Sequence, residues 1–375
     1  MRLFFAFLIF APMLVSAESK DSSTNSVAYS LEQGHINKLL ESVSDAPQTE
    51  AAFLTLMGRS DKVYEFLTQF TARGYCEVSS SVKKVAGTPL VKQRVGEHQV
   101  VMVNENHFNV ASRAIVAKWL PWFKAQGFTH VGFEALQPGE HGAKEAYVQE
   151  PMMSNLIQKA KTLGFNVFGY ERTQLAPDDM SSAESFAFRD RQQADNIMTQ
   201  ISQADDNARF LIFAGWAHIA EAPLNSPDGE YRTMADFLKN EHGIDPLTID
   251  TTACPYRGND ENPLATYAYV QNGNILNVGS VQNVDIQIRV PKAPPETTGY
   301  FRRDLGDSYM PTEPDWPENR PVILQAYNLK TGYVADRVQS DAAEKLPLYL
   351  PAGNYRVTLH GLDGELLWED ELERD

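Results

Sequence analysis

Residues 100–107 read Val-Val-Met-Val-Asn-Glu-Asn-His, four apolar residues running straight into a Glu, an Asn and a His. A short apolar run bounded by polar residues is the pattern of a buried strand. A helical pattern follows over residues 113–125, with Ile115, Val116, Trp119, Leu120 and Phe123 recurring on one face. In open α/β sheets ligands bind just beyond the carboxyl ends of the strands, and Glu105 and His107 fall at that place. The arrangement recurs later in the chain, where 210–214 (FLIFA) breaks into Gly215-Trp216-Ala217-His218. Two strands that each end at a His direct two imidazoles towards one cleft.

Outward from these two strands, residues 99–252 alternate strand and helix patterns. Residues 129–136 (THVGFEAL) are a strand carrying Glu134, and a helix over 152–163 is closed by Gly164. Residues 166–170 form a further strand that runs into Glu171-Arg172. A long helix over 183–203 carries Phe186, Ala194, Ile197 and Ile201 on its apolar face. A helix near 234–241 and a strand at 246–249 complete the block. Such repetition predicts an α/β fold: a central, mostly parallel sheet with right-handed crossovers, flanked by helices. Open winding and barrel closure fit the pattern equally.

The flanks differ in character. Arg2 precedes an apolar run over 3–15, and Val15-Ser16-Ala17 supplies small residues at a cleavage site. The expectation is a signal peptide over 1–17 and an exported, periplasmic or extracellular protein. The run is short for a membrane span, so no stable membrane insertion is expected after cleavage. Residues 18–98 are expected to form a helical segment packed on the core, and 99–290 the catalytic-like α/β domain. After Cys254 the pattern changes to short strands at 265–270, 275–278 and 285–290. Residues 291–321 read as a Pro-rich linker. Residues 322–375, with alternation at 355–359 and turn signals at Thr331-Gly332 and Asp363-Gly364, read as a small accessory module like a β-sandwich.

Thirty-three basic residues against 49 acidic ones give a net charge of −16, which argues against a nucleic-acid partner. The partner expected is a small-molecule or peptide substrate. Cys76 and Cys254 are the two cysteines, and export invites a disulfide between them, the plain alternative being two separate thiols. Gly-x-Ser-x-Gly, His-Glu-x-x-His, a phosphate-binding Gly loop and Gly-x-Gly-x-x-Gly are all absent from the chain. Serine-nucleophile, zincin, nucleotide-hydrolysing and dinucleotide-binding readings therefore lack support.

His107 and His218 are the histidines placed at strand ends with acidic residues nearby. A neutral imidazole takes a proton from water near neutral pH, and Glu105 or Glu134 would fix its tautomer. Arg113 and Arg189 suit an anion clamp, and the structural alternative for each is a salt bridge to Glu105, Glu134 or Glu171. His35, His98, His130, His141, His242 and His360 read as surface or capping residues.

Taken in order, Asn104-Glu105-Asn106-His107, Arg113, Glu134 in FEAL, Arg189 in Phe188-Arg189-Asp190-Arg191 and Gly215-Trp216-Ala217-His218 resemble the erythromycin-esterase-like, ChaN-like and Tiki/TraB superfamily. The resemblance covers about residues 99–252. Asn104 stands where the family usually has Gly, and Asn tolerates positive φ well enough for the turn to survive. The esterase branch implies a metal-free hydrolase with His107, His218, Glu105, Glu134 and Arg189 as catalytic residues. Arg113, Glu171 and Asn104 complete the site as substrate-binding residues. The Tiki branch implies a divalent metal held by His107, His218 and Glu134 for peptide hydrolysis. The ChaN-like branch implies a haem- or ligand-binding protein without turnover.

Overall fold

Val100–Glu105 forms strand β1 and is buried along its whole length. In the computed structural model the described residues are 27–42, 47–63, 78–79, 81–139, 142–143, 145–257, 261–278, 281–294, 297–312 and 314–375. The expected signal peptide, Cys76 and His141 lie outside them. Phe128–Phe133 is β2, Asn166–Gly169 β3, Arg209–Gly215 β4, Leu247–Asp250 β5 and Ile286–Gln287 β6. They form one six-stranded sheet in the order β6-β5-β1-β4-β2-β3, and every pairing in it is parallel. With β6 and β3 as its edges the sheet is open, which decides between the two closures that the sequence left equal.

Helices α1 (Ala111–Ala125), α2 (Pro151–Thr162), α3 (Ser182–Gln203) and α4 (Met234–Asn240) connect the strands. Val100, Met102, Phe210, Ile212 and Ala214 share one apolar cluster with Ala194 and Ile197 of α3 and Met234, Phe237 and Leu238 of α4. The alternate residues Val101, Val103, Leu211 and Phe213 point to the opposite face. Each fully buried aliphatic or Phe side chain contributes about 1.5–3 kcal/mol. The start of α3 is fixed by a capping box: Ser181 accepts from the Glu184 amide while the Glu184 carboxylate accepts from the Ser181 amide.

Strand order also places the cleft. From β1 the chain crosses over β4 to reach β2, and from β4 it crosses over β1 to reach β5. The two paths leave the β1–β4 pair in opposite directions, so a crevice opens at the carboxyl ends of these strands. β1 and β4 pair from Val100 with Phe210 through Glu105 with Gly215.

The chain divides into two compact units. The parallel sheet belongs to Ser60–His141 with Asn155–Asp304, and the other unit comprises Met1–Arg59, Gly142–Ser154 and Leu305–Asp375. In the latter, Val322–Asn328 (β7), Val334–Ser340 (β8), Gly353–Gly361 (β9) and Leu366–Arg374 (β10) form an antiparallel sheet ordered β8-β7-β9-β10. A separate antiparallel pair joins Asp307–Tyr309 to Leu348–Leu350. The helices Val27–Glu32, Ile36–Ser42 and Pro47–Leu56 fall in this unit, and Val27, Leu31, Ile36 and Phe53 share a cluster with Ile323 of β7. An amphipathic helix reports that it has an apolar face, not which sheet covers that face.

Two further expectations change in detail. The first part of the Pro-rich stretch 291–321 is built into the fold: Pro291–Lys292 pairs with Tyr256–Arg257, and Tyr300 and Phe301 are buried. His360, read as a surface residue, is buried in β9 beneath Gly34, where a Cβ would lie 2.5 Å from the His360 Cβ.

Candidate active site

Glu105, the last residue of β1, is buried, and its carboxylate is gripped by Arg113 in the first turn of α1. Arg113 donates through Nε to Oε2 at 2.6 Å and through Nη2 to Oε1 at 2.7 Å. Glu105 Oε1 also lies 2.9 Å from His107 Nδ1. Burial alone would raise the Glu105 carboxyl, but Arg113 and His107 together hold it below the usual carboxylate range. Arg113 therefore takes the salt-bridge role, its fork directed at Glu105.

Facing this pair, Glu134 follows β2 and Glu171 follows β3. Arg189, on α3, ties the two together: Nη2 donates to both carboxylates and Nε donates to Glu171 Oε1 at 2.9 Å. The Gly215 amide donates to Glu134 Oε2. Burial works to raise the Glu134 carboxyl, yet His218, Arg189, His107 and the Gly215 amide bring it down to about 2. Arg189, like Arg113, is committed to carboxylates. Glu171 is committed as well, accepting from Arg189, the Arg172 amide and Gln193 Nε2.

His218 completes the cluster. Its Nδ1 lies 2.7 Å from Asp190 Oδ1, its Nε2 3.5 Å from Glu134 Oε1 and 3.2 Å from Arg189 Nη1. The Arg189 contact suits the unprotonated nitrogen, and protonation turns Nε2–H towards Glu134. Burial disfavours the imidazolium, but Asp190 and Glu134 outweigh it and raise the His218 pKa. Asp190 is buried, and its second oxygen accepts from the Met234 amide at 2.9 Å. Sequence reasoning missed this residue. Its only signal is its place beside Arg189, in a run that looks like a solvated helix face.

Gly215 has a steric reason to be Gly. A Cβ there would stand 2.4 Å from His107 Cε1, 2.6 Å from His107 Nε2 and 3.1 Å from Glu134 Oε2. The next residue, Trp216, adopts φ of +42°, an uncommon backbone state for a bulky side chain. It is held by its amide to the Glu105 carbonyl at 2.8 Å and by Asn104 Nδ2 to its own carbonyl at 2.6 Å. The indole sits edge-on to His107, with centroids 6.2 Å apart.

Asn104 is corrected in role. It lies within β1 without a positive φ, and it is fully buried. Its amide donates to the Trp216 carbonyl and Asp250, and its Oδ1 accepts from the Thr251 amide. It cross-ties the ends of β1, β4 and β5, which leaves it no amide group for substrate. The structure thus brings Glu105, His107, Glu134, Glu171, Arg189 and His218 to one sheet edge and assigns Asn104 and Arg113 to holding that edge in shape.

The set of His107, His218 and Glu134 does not fit a divalent metal. Among the described residues no group of three or more His, Cys, Asp or Glu side chains is arranged to hold an ion. The Arg189 guanidinium bonds Glu134 and lies against His218 Nε2, so a second cation there meets like charge. His218 is poorly placed to ligate a haem iron, because it presents Nδ1 to Asp190 and Nε2 to Arg189. Among the described residues no helix is long and apolar enough to cross a membrane.

No family model and no curated protein matches the chain. Among solved structures it is similar to one described as "Bacterial protein toxins", at TM-score 0.34 and 13% identity over 56% of this chain and 41% of that one. It is similar to the type III effector HopBA1, at TM-score 0.34 and 13% identity over 49% of this chain and 94% of that one. A third is RRSP, a MARTX toxin effector domain from Vibrio vulnificus CMCP6, at TM-score 0.34 and 12% identity over 69% of this chain and 53% of that one. The chain spans less than half the length of the first of these, and likenesses at this TM-score carry no argument about activity.

Proposed function

We propose that the protein is an exported hydrolase in which His107, oriented by Glu105, activates water against an ester or peptide carbonyl. The observation that carries this reading is the 2.9 Å contact of His107 Nδ1 with a Glu105 carboxylate that Arg113 keeps ionised. An ionised carboxylate accepts the Nδ1 proton, so the neutral ring carries its lone pair on Nε2, on the side of Gly215 and Glu134. Water gives its proton to Nε2 as its oxygen adds to the carbonyl carbon. The imidazolium formed on His107 then protonates the leaving group as the tetrahedral species collapses. Asp190, 2.7 Å from His218 Nδ1, orients that ring and favours its protonated form.

Two further observations support the setting. Cys254 is disulfide-bonded, which agrees with an oxidising compartment and with the apolar lead at 1–17. The ordered strand-end motifs support kinship with the erythromycin-esterase-like, ChaN-like and Tiki/TraB group, whose esterase branch suits a site without a metal cage.

A panel of activated esters and short peptides assayed with wild type and His107→Ala tests the proposal. Loss of a general base predicts a fall of about 100-fold or more in turnover with the fold intact by circular dichroism. A wild type inert towards every member of both classes sinks the hydrolase reading.

A further inference from the structure

Both arginines that the sequence offers as an anion clamp are spent on carboxylates, and a third beside them has no side-chain hydrogen bond or close ion pair among the described residues. Arg172 follows Glu171 at the carboxyl end of β3, on the same edge of the sheet as His107, Glu134 and His218. Its side chain is partly buried; its backbone amide donates to Glu171, and among the described residues its guanidinium feels the Glu171 charge without a hydrogen bond or close ion pair. The reason lies in Glu171. Oε1 of that carboxylate already accepts from the Arg172 amide at 2.8 Å and from Arg189 Nε at 2.9 Å, and Oε2 accepts from Arg189 Nη2 and Gln193 Nε2. A carboxylate has about four acceptor sites, so the neighbouring anion is saturated. Burial and the nearby Arg189 charge disfavour the Arg172 cation, and Glu171 offsets them only in part.

A partly desolvated guanidinium presents five donors in a planar fork, the geometry that matches a carboxylate or phosphate oxyanion at two points. We infer that Arg172 is the specificity residue of the cleft and binds an oxyanion carried by the substrate while the scissile carbonyl lies at His107. This rests on the hydrolase reading for the identity of the ligand as a substrate, but the binding of the anion does not require turnover. The other arginines of this unit that flank α3 and β4 are matched: Arg191 donates to Glu241, and Arg209 donates to the carbonyls of Gly96, His98 and Gln126.

Calorimetric titration with succinate and with inorganic phosphate tests the inference on the full chain. The variants are Arg172→Gln, His107→Ala and Arg191→Gln, the last removing an equal charge from an exposed position on α3. The expected result is binding of at least one anion by wild type, His107→Ala and Arg191→Gln, weakened about tenfold or more in Arg172→Gln. The tighter of the two anions names the oxyanion class. Equal affinity in wild type and Arg172→Gln overturns the inference, as does a wild type that binds neither anion. Arg172-dependent binding in a protein inert towards every ester and peptide would remove the hydrolase reading alone.

Discussion

Arg113 holds Glu105 at two points, Nε to Oε2 at 2.6 Å and Nη2 to Oε1 at 2.7 Å, with both side chains only 2% exposed. The fork joins the end of β1 to the start of α1, and so fixes the loop that carries His107. It also keeps Glu105 anionic, which selects the tautomer of the imidazole beside it. One ion pair ties the fold together and, on the proposed function, sets the chemistry as well.

Removing one member of that pair leaves a buried charge without its counterion. Arg113→Met is expected to destabilise the protein by about 3–5 kcal/mol, measured by urea unfolding. The double variant Glu105→Gln/Arg113→Met should recover part of that loss, since no buried charge remains at the pair. A loss under about 1 kcal/mol in the single variant would show that solvent reaches the pair and that the fork matters little.

Gly215→Ala adds one methyl group where His107 and Glu134 leave no room. The backbone angle there is not the issue; the imidazole must move. A displacement of this size at a reacting group costs on the order of 100-fold in rate. The expectation is a collapse of kcat/KM, with the unfolding midpoint falling far less than in Arg113→Met. Wild-type kcat/KM in Gly215→Ala would mean that His107 does not act from this position.

The strands were legible because each is an apolar run cut off by polar residues, and the site residues are those interruptions. Glu105, His107, Glu134, Glu171 and His218 could thus be found from pattern alone. Asp190 could not, because an Arg-Asp-Arg run on a helix has the look of a solvated face, and only the tertiary fold turns Asp190 inward to His218. The positive φ at Trp216 was equally hidden, since a bulky residue rarely takes it and nothing local demands it. Asn104 drew attention as a departure from a Gly motif, yet its side chain proves to be the tie that holds Trp216 in that state. Pairing of the N-terminal helices with β7 was illegible for a simpler reason: apolar faces carry no address.

Asp190 is expected to set the protonation of His218. With its Nδ1 2.7 Å from that carboxylate, His218 should titrate above its ordinary value of 6.5, and Asp190→Asn should move the midpoint down. A group with a raised folded pKa contributes stability that is full below the unfolded pKa and is lost as pH rises through the folded one. Wild type should therefore lose this contribution above pH 6.5, while Asp190→Asn lacks most of it throughout. Imidazole proton shifts followed by NMR give the midpoints directly. Unchanged titration of His218 in Asp190→Asn would remove Asp190 from the mechanism.

Glu134 carries the opposite pH signature. Its carboxyl is lowered from 4.5 to about 2 because, despite burial, His218, Arg189 and the Gly215 amide all favour the anion. A depressed folded pKa contributes stability that is present above the unfolded value of 4.5 and is lost as pH falls through the folded value of about 2. Glu134→Gln keeps the shape and abolishes the charge, so it should be less stable than wild type at neutral pH. The gap should narrow as pH falls below 4.5 and approach its minimum near the folded pKa of about 2. Urea unfolding of both proteins across that range measures the gap. A difference independent of pH would mean that Arg189 and His218 gain nothing from the Glu134 charge, and the cluster would then be a set of neutral hydrogen bonds. A narrowing gap would establish Glu134 as the anion around which Arg189, His218 and the Gly215 amide are arranged, and would explain why α3 and the end of β4 both direct donors to one carboxylate.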